Sequence, residues 1–230
     1  MNIENNNPLN FTDDSVYKSF NDFIFADDLK LMGKMLHRFK FFMDTKHLPG
    51  DVIEVGVFKG SGVASFAKFI DIFCPNSNKK VIGFDIFDVK ELDNVLNKDS
   101  EIDQESMRSV CDRVSASELS FEAVSKKMAS NKVQLVRGDI EESVPKFLLD
   151  NPGFRASLIY MDVDLERPTY QALMGLWDRL LPGGYILFDE YEYHAFSESN
   201  GVDRFLHDKN IKYSLKSTDW IAPTCYLHKG

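Results

Sequence analysis

Residues 51–62 constrain the fold of this chain more than any other stretch. Asp51-Val-Ile-Glu-Val is a short β-branched run that breaks into Gly56, Gly60 and Gly62 before an apolar segment from Val63 to Ile70. β-branched residues favour strands, glycines permit sharp turns, and the apolar run after them predicts a helix. Strand, glycine turn and helix in that order open a parallel β-α unit. Ligands of such units bind at the carboxyl end of the strand, where the helix start leaves N–H groups free. The spacing Gly-x3-Gly-x-Gly is not the Gly-x-Gly-x-x-Gly that cradles a dinucleotide pyrophosphate, which disfavours an NAD-type enzyme. Glu54, an acid inside the strand, suits a ligand with positive groups. S-adenosylmethionine, with its sulfonium and amino groups, is the expected cofactor, and S-adenosylhomocysteine its product form.

The alternation continues along the chain. Apolar runs predict strands at 81–84, 133–136, 157–161 and 185–188, with closing strands near 213–215 and 224–227. Helical periodicity predicts helices at 62–73, from 142 to 149, at 169–181 before Pro182-Gly183-Gly184, and at 202–208. Repeated β-α units predict an α/β, doubly wound, mostly parallel seven-stranded sheet with helices on both faces. Residues 1–14 read as a mobile tail and 15–230 as one domain. Its opening segment, 15–47, carries two helices broken near Ala26-Asp27-Asp28. Residues 86–130 depart from the alternation, with helices expected at 102–114 and 118–129. So long a connection reads as a lid or substrate-facing insertion.

Composition excludes several classes. The net charge is −9, against the clustered Lys and Arg that a nucleic-acid partner needs. No apolar run approaches the roughly 18–20 residues of a membrane span, and Met1 to Asn10 has no signal-peptide pattern. The cytoplasm is the expected compartment, with neither nucleic acid nor membrane as partner. Cys74, Cys111 and Cys225 are scattered and odd in number, matching neither a disulfide framework nor a metal site.

Five expected strands carry acids at or near their ends: Glu54, Asp85, Asp139, Asp162 with Asp164, and Asp189 with Glu190. In a parallel sheet those ends share one edge, so acids more than a hundred positions apart converge there. Asp and Asn also favour strand-to-loop junctions for local reasons, so the convergence of several acids carries the argument. Asp85 stands where an acid would accept from a ribose diol. Asp139 reads equally as a partner for an adenine amino group or as a helix cap. The expected cofactor set is Glu54, Gly56, Gly60, Ser61, Asp85, Asp139, Ile140 and Asp162. Clustered carboxylates repel, so Asp162, Asp164, Asp189 and Glu190 must protonate, pair with Arg167, Lys146 or Arg179, or bind a hard cation such as Mg²⁺.

These motifs resemble the macrocin O-methyltransferase (TylF-like) family, from about Leu48 to Trp220. The resemblance rests on Leu48-Pro-Gly-Asp-Val-Ile-Glu-Val-Gly-Val-Phe-Lys-Gly60, Gly83-Phe-Asp85, Gly138-Asp-Ile-Glu-Glu-Ser-Val-Pro145, Tyr160-Met-Asp-Val-Asp-Leu-Glu-Arg-Pro-Thr169 and Leu181-Pro-Gly-Gly-Tyr-Ile-Leu-Phe-Asp-Glu-Tyr191. It implies a class I methyltransferase fold and methylation of a small-molecule hydroxyl, most of all on a sugar or glycosylated natural product. It further implies Mg²⁺ held by Asp162, Asp189 and Glu190, Asp164 as general base, and a homo-oligomer. Two departures stand out: the usual Asp-Asp pair is here Asp189-Glu190, and Ile86-Phe-Asp-Val-Lys replaces Ser-Phe-Glu-Gly-Leu-Pro. His194, just after the acidic pair, is a rival base. Rival activities are a catechol-like phenol O-methyltransferase and a non-catalytic S-adenosylmethionine-binding module.

Overall fold

The computed structural model describes residues 13–230. The tail expected at 1–14 therefore lies almost wholly outside the described residues; Asp13 caps the first helix. In chain order the elements are α1 (Asp14–Ile24), α2 (Leu29–Thr45), β1 (Asp51–Val55), α3 (Ser61–Phe73), β2 (Val81–Asp85), α4 (Val89–Leu96), α5 (Glu101–Cys111), α6 (Phe121–Lys127), β3 (Val133–Arg137), α7 (Ile140–Asp150), β4 (Ala156–Met161), α8 (Glu166–Leu176), β5 (Leu180–Phe188), α9 (Glu198–Asp208), β6 (Lys216–Ser217) and β7 (Cys225–His228).

The seven strands form one sheet in the order β3-β2-β1-β4-β5-β7-β6. β1 to β5 pair in parallel, and β7 closes the sheet antiparallel to β5 and β6. β1 and β4 lie at the centre, so their apolar residues are buried on both faces; that is why they read as continuous rather than alternating runs. One core layer packs α7, α8 and α9 against the sheet through Val144, Leu173 and Phe205. The other packs α2 and α3 through Phe41, Phe42, Phe66 and Ile70. Chain order reverses between β1 and β4, which makes the crevice at their carboxyl ends the topological switch point.

Several boundaries differ from the sequence reading, each for a local reason. The break near Ala26–Asp28 is real: Asp28 caps α2 by accepting from the Lys30 N–H. α4 has no counterpart in the sequence reading; Asp88 starts it by accepting from the Lys90 and Glu91 N–H groups. The helix expected at 169–181 starts earlier and stops at Leu176, and β5 already begins at Leu180. Pro182-Gly183-Gly184 is thus a bulge inside β5, where the register against β4 shifts, rather than the turn before it. Gly184 passes so close to β4 that a Cβ would stand 2.7 Å from the Ser157 carbonyl oxygen. The closing strand expected at 213–215 is β6, slightly later in the chain.

Candidate active site

A cavity of about 810 Å³ opens at the switch point. Gly56 and Phe58 after β1, Asp85 at the end of β2, Gly138 and Asp139 after β3, Asp162 and Asp164 after β4, and Asp189 and Glu190 after β5 line it. α4 and α5, from the 86–130 insertion, form the outer wall through Leu92, Val95, Met107 and Val110. Arg167 at the start of α8 holds that wall: its guanidinium donates to Asp99 (3.0 Å) and to the Val95 carbonyl. Cavities of this size suit a ligand with the bulk of a nucleoside.

Not every expected cofactor residue reaches the cavity. Gly56, Asp85, Asp139, Ile140 and Asp162 line it; Glu54, Gly60 and Ser61 do not. Glu54 is buried, and its Oε1 accepts from Arg38 Nη2 at 2.7 Å. Burial pushes its carboxyl up to about 7, against the pull of Arg38. The glycines answer mainly to the protein's own packing. At Gly56, with φ +89°, a Cβ would lie 1.8 Å from the Asp162 carbonyl oxygen; at Gly62 it would lie 1.8 Å from Glu54 Oε1. Asp85 Oδ2 accepts from the N–H groups of Val57 (2.7 Å) and Phe58 (2.8 Å), which ties the glycine turn to β2. Its Oδ1 takes only a longer bond from the Phe87 N–H and retains acceptor capacity toward the cavity. Asp139 caps α7 through the Glu141 N–H and pairs with Lys98 at 3.0 Å. Burial raises its pKa, but Lys98, the Glu141 N–H and Arg167 outweigh it and leave the pKa lowered.

The acid cluster assembles as the strand ends predict, but its counter-charges come from a different place. Lys34 Nζ lies between Asp162 Oδ2 (2.8 Å) and Asp189 Oδ2 (2.6 Å). Lys30, one turn earlier on α2, faces Glu190 at 3.8 Å, and Arg38, one turn later, reaches Glu54 and Asp162. Arg38 also stacks over the Tyr160 ring at 4.3 Å, and the Tyr160 hydroxyl donates to Asp189. Arg167, expected as a partner of the cluster, instead pairs with Asp99, Asp139 and Glu141. The signal in the sequence is Lys30-x3-Lys34-x3-Arg38, one face of a helix at i, i+4 and i+8, which reads as a solvated stripe when taken alone.

Asp164 follows β4 in a left-handed conformation, φ +66°, which an Asp adopts at some cost. Burial first, then the charges of Asp162, Glu190 and Asp189, raise its carboxyl well above the usual carboxylate range. Burial also pushes Asp189 to about 6 and Glu190 to about 7. Beneath them, buried Glu198 accepts from the Glu190 N–H at 3.0 Å, a contact that nothing in the sequence signals. His194 is exposed and lies outside the cavity lining, although Tyr193 and Phe196 beside it are part of that lining. The expected Mg²⁺ ligands are brought together, yet they do not fit a divalent ion. Asp162 and Asp189 both bond the Lys34 ammonium, and among the described residues no group of three or more His, Cys, Asp or Glu is arranged to hold a metal.

A doubly wound sheet in this strand order, with its cavity at the switch point between β1 and β4, defines a class I methyltransferase fold. Solved structures agree. A TDP-rhamnose 3'-O-methyltransferase of calicheamicin biosynthesis, CalS11, superposes with a TM-score of 0.68 over 98% of this chain and 89% of its own, at 22% identity. The O-methyltransferase NovP gives 0.67 over 85% of this chain and 78% of its own, at 20% identity. Residues 30–228 match the family described as macrocin-O-methyltransferase (TylF), and the chain belongs to that family. A curated relative from Streptomyces olivaceus, 8-demethyl-8-(2,3-dimethoxy-alpha-L-rhamnosyl)-tetracenomycin-C 4'-O-methyltransferase, is 25% identical over 173 residues. That alignment covers 73% of this chain and 60% of the relative's length.

Proposed function

We propose that this protein is an S-adenosylmethionine-dependent O-methyltransferase whose acceptor is a sugar hydroxyl on a small glycosylated or nucleotide-linked molecule. The observation that carries the reading is that Asp164, in a left-handed turn, lines the same cavity as Gly56 and Asp85. Family membership and the sugar O-methylation in the curated relative's name support it.

When bound, S-adenosylmethionine supplies an electrophilic methyl on a sulfonium whose thioether is the leaving group. The chain's residues do the rest. Asp85, Gly56 and Asp139 line the cavity and hold the donor. Asp164 takes the acceptor hydroxyl proton as oxygen bonds the methyl carbon and sulfur keeps the electron pair of the broken C–S bond. Burial and the neighbouring acids raise its pKa, which makes its ionised form a stronger proton acceptor than an ordinary carboxylate. α4 and α5 wall off water and hold acceptor and donor in line, and such positioning supplies much of the rate. The resemblance implies Mg²⁺ at Asp162, Asp189 and Glu190, but with Lys34 bonded to two of them the chemistry above runs on side chains alone.

One experiment tests the reading: methyl transfer from labelled S-adenosylmethionine to a panel of nucleotide-linked deoxysugars, rhamnosylated aglycones and catechols, with wild type and Asp164→Asn. Label should enter the sugar acceptors and not the catechols. Asp164→Asn should lose turnover about 10²-fold or more while S-adenosylhomocysteine still binds. Methylation of catechols alone, or an Asp164→Asn enzyme of normal rate, would sink it.

A further inference from the structure

The cation of the acid cluster is a side chain. Lys34 Nζ bridges one oxygen of Asp162 and one of Asp189, at 2.8 and 2.6 Å, and its side chain is only 16% exposed. Those two carboxylates come from adjacent parallel strands, and the gap between them is where any bridging cation would have to sit.

The helix that carries Lys34 is pinned on both sides of it. At Gly33 the backbone meets the Trp220 indole so closely that a Cβ would lie 2.1 Å from the ring. At Arg38 the guanidinium is locked into Glu54 at 2.7 Å and over the Tyr160 ring. The ladder is also matched rung by rung, with Lys30 to Glu190, Lys34 to Asp162 and Asp189, and Arg38 to Glu54. An ammonium has three donors, and the two carboxylates use two of them. Lys34 lines the cavity, so its remaining N–H is left to donate to a ligand there.

The geometry points to Lys34 as the resident cation of the acceptor site, standing between Asp162 and Asp189 in place of a divalent ion and orienting the acceptor hydroxyl toward Asp164. This rests on reading the cavity as the methyl-transfer site. Lys34 keeps its protons throughout; the hydroxyl proton goes to Asp164.

Binding of Mn²⁺ alone tests the inference without any acceptor, so its result stands whichever acceptors the enzyme methylates. Chelator-treated wild type and Lys34→Ala are titrated with Mn²⁺ in the presence of S-adenosylhomocysteine, and bound metal is read by electron paramagnetic resonance. Lys34→Ala should gain one site at least about tenfold tighter than any in wild type, since removing the ammonium leaves Asp189 without its cation and Asp162 with only Arg38 at 3.6 Å. Adding Asp189→Asn should abolish that site, and Lys34→Arg should exclude Mn²⁺ as wild type does. Should Lys34→Ala not fold, Lys34→Met, which keeps the stem packed, serves for the same comparison. Wild type binding Mn²⁺ as tightly as the variant, or neither protein binding it, overturns the inference.

Discussion

At the scale of single residues, position decides what each acid and glycine does. Glu54 and Asp85 are both strand acids, yet one is sealed against Arg38 and the other ties down a turn while facing the cavity. The glycine spacing of residues 56–62 is legible in the sequence, but its reason is not. Ligand approach is the natural expectation; the structure shows Gly62 making room for the Glu54 carboxylate. Gly62→Ala should therefore destabilise the fold by about 1–3 kcal/mol through overpacking against that carboxylate, read as a lower urea midpoint. An unchanged midpoint would contradict the packing role. The sequence leaves His194 as a rival to Asp164 for the base, because neither the exposure of a side chain nor the hand of a turn is written in residue type.

At the scale of elements, strands and most helices follow from period and caps, whereas their ends depend on partners. α2 is the instructive case. Its apolar spacing identifies it as a helix, but its polar face reads as an ordinary solvated stripe until β1, β4 and β5 are placed beneath it. Arg38 and Glu54 form a buried pair, with side chains 8% and 2% exposed. Arg38→Met should cost about 3–5 kcal/mol because it strands a buried carboxylate, and the double variant with Glu54→Gln should recover part of that loss. Calorimetric melts of the two single variants and the double variant check this. A purely additive cycle would show that the two residues do not act as a pair.

At the scale of the whole molecule, the sheet gathers raised carboxyl groups in one place, and that sets a pH dependence. Burial raises Glu54 and Glu190 to about 7 from 4.5, and Asp189 to about 6 from 3.8. Below about pH 4 these groups are protonated in both folded and unfolded chains, and their contribution is fully present. As pH rises, the unfolded chain releases its protons first, so stability falls and the contribution is lost as the native groups ionise near pH 6–7. The ligand-free protein should melt at a higher temperature near pH 5.5 than near pH 7.5, provided the ion-paired acids that titrate below that range stay ionised. A melting temperature that climbs between those two values would refute the prediction. What the sequence determined by itself was the order of the strands and of every helix but α4, the glycine turn, and a row of acids at strand ends, because period and turn chemistry are local. Tertiary structure alone decided which acids face the cavity and which are sealed, and what neutralises them. Lys34 is 128 residues from Asp162 and 155 from Asp189, and only the packing of α2 across the sheet brings those charges within hydrogen-bond distance.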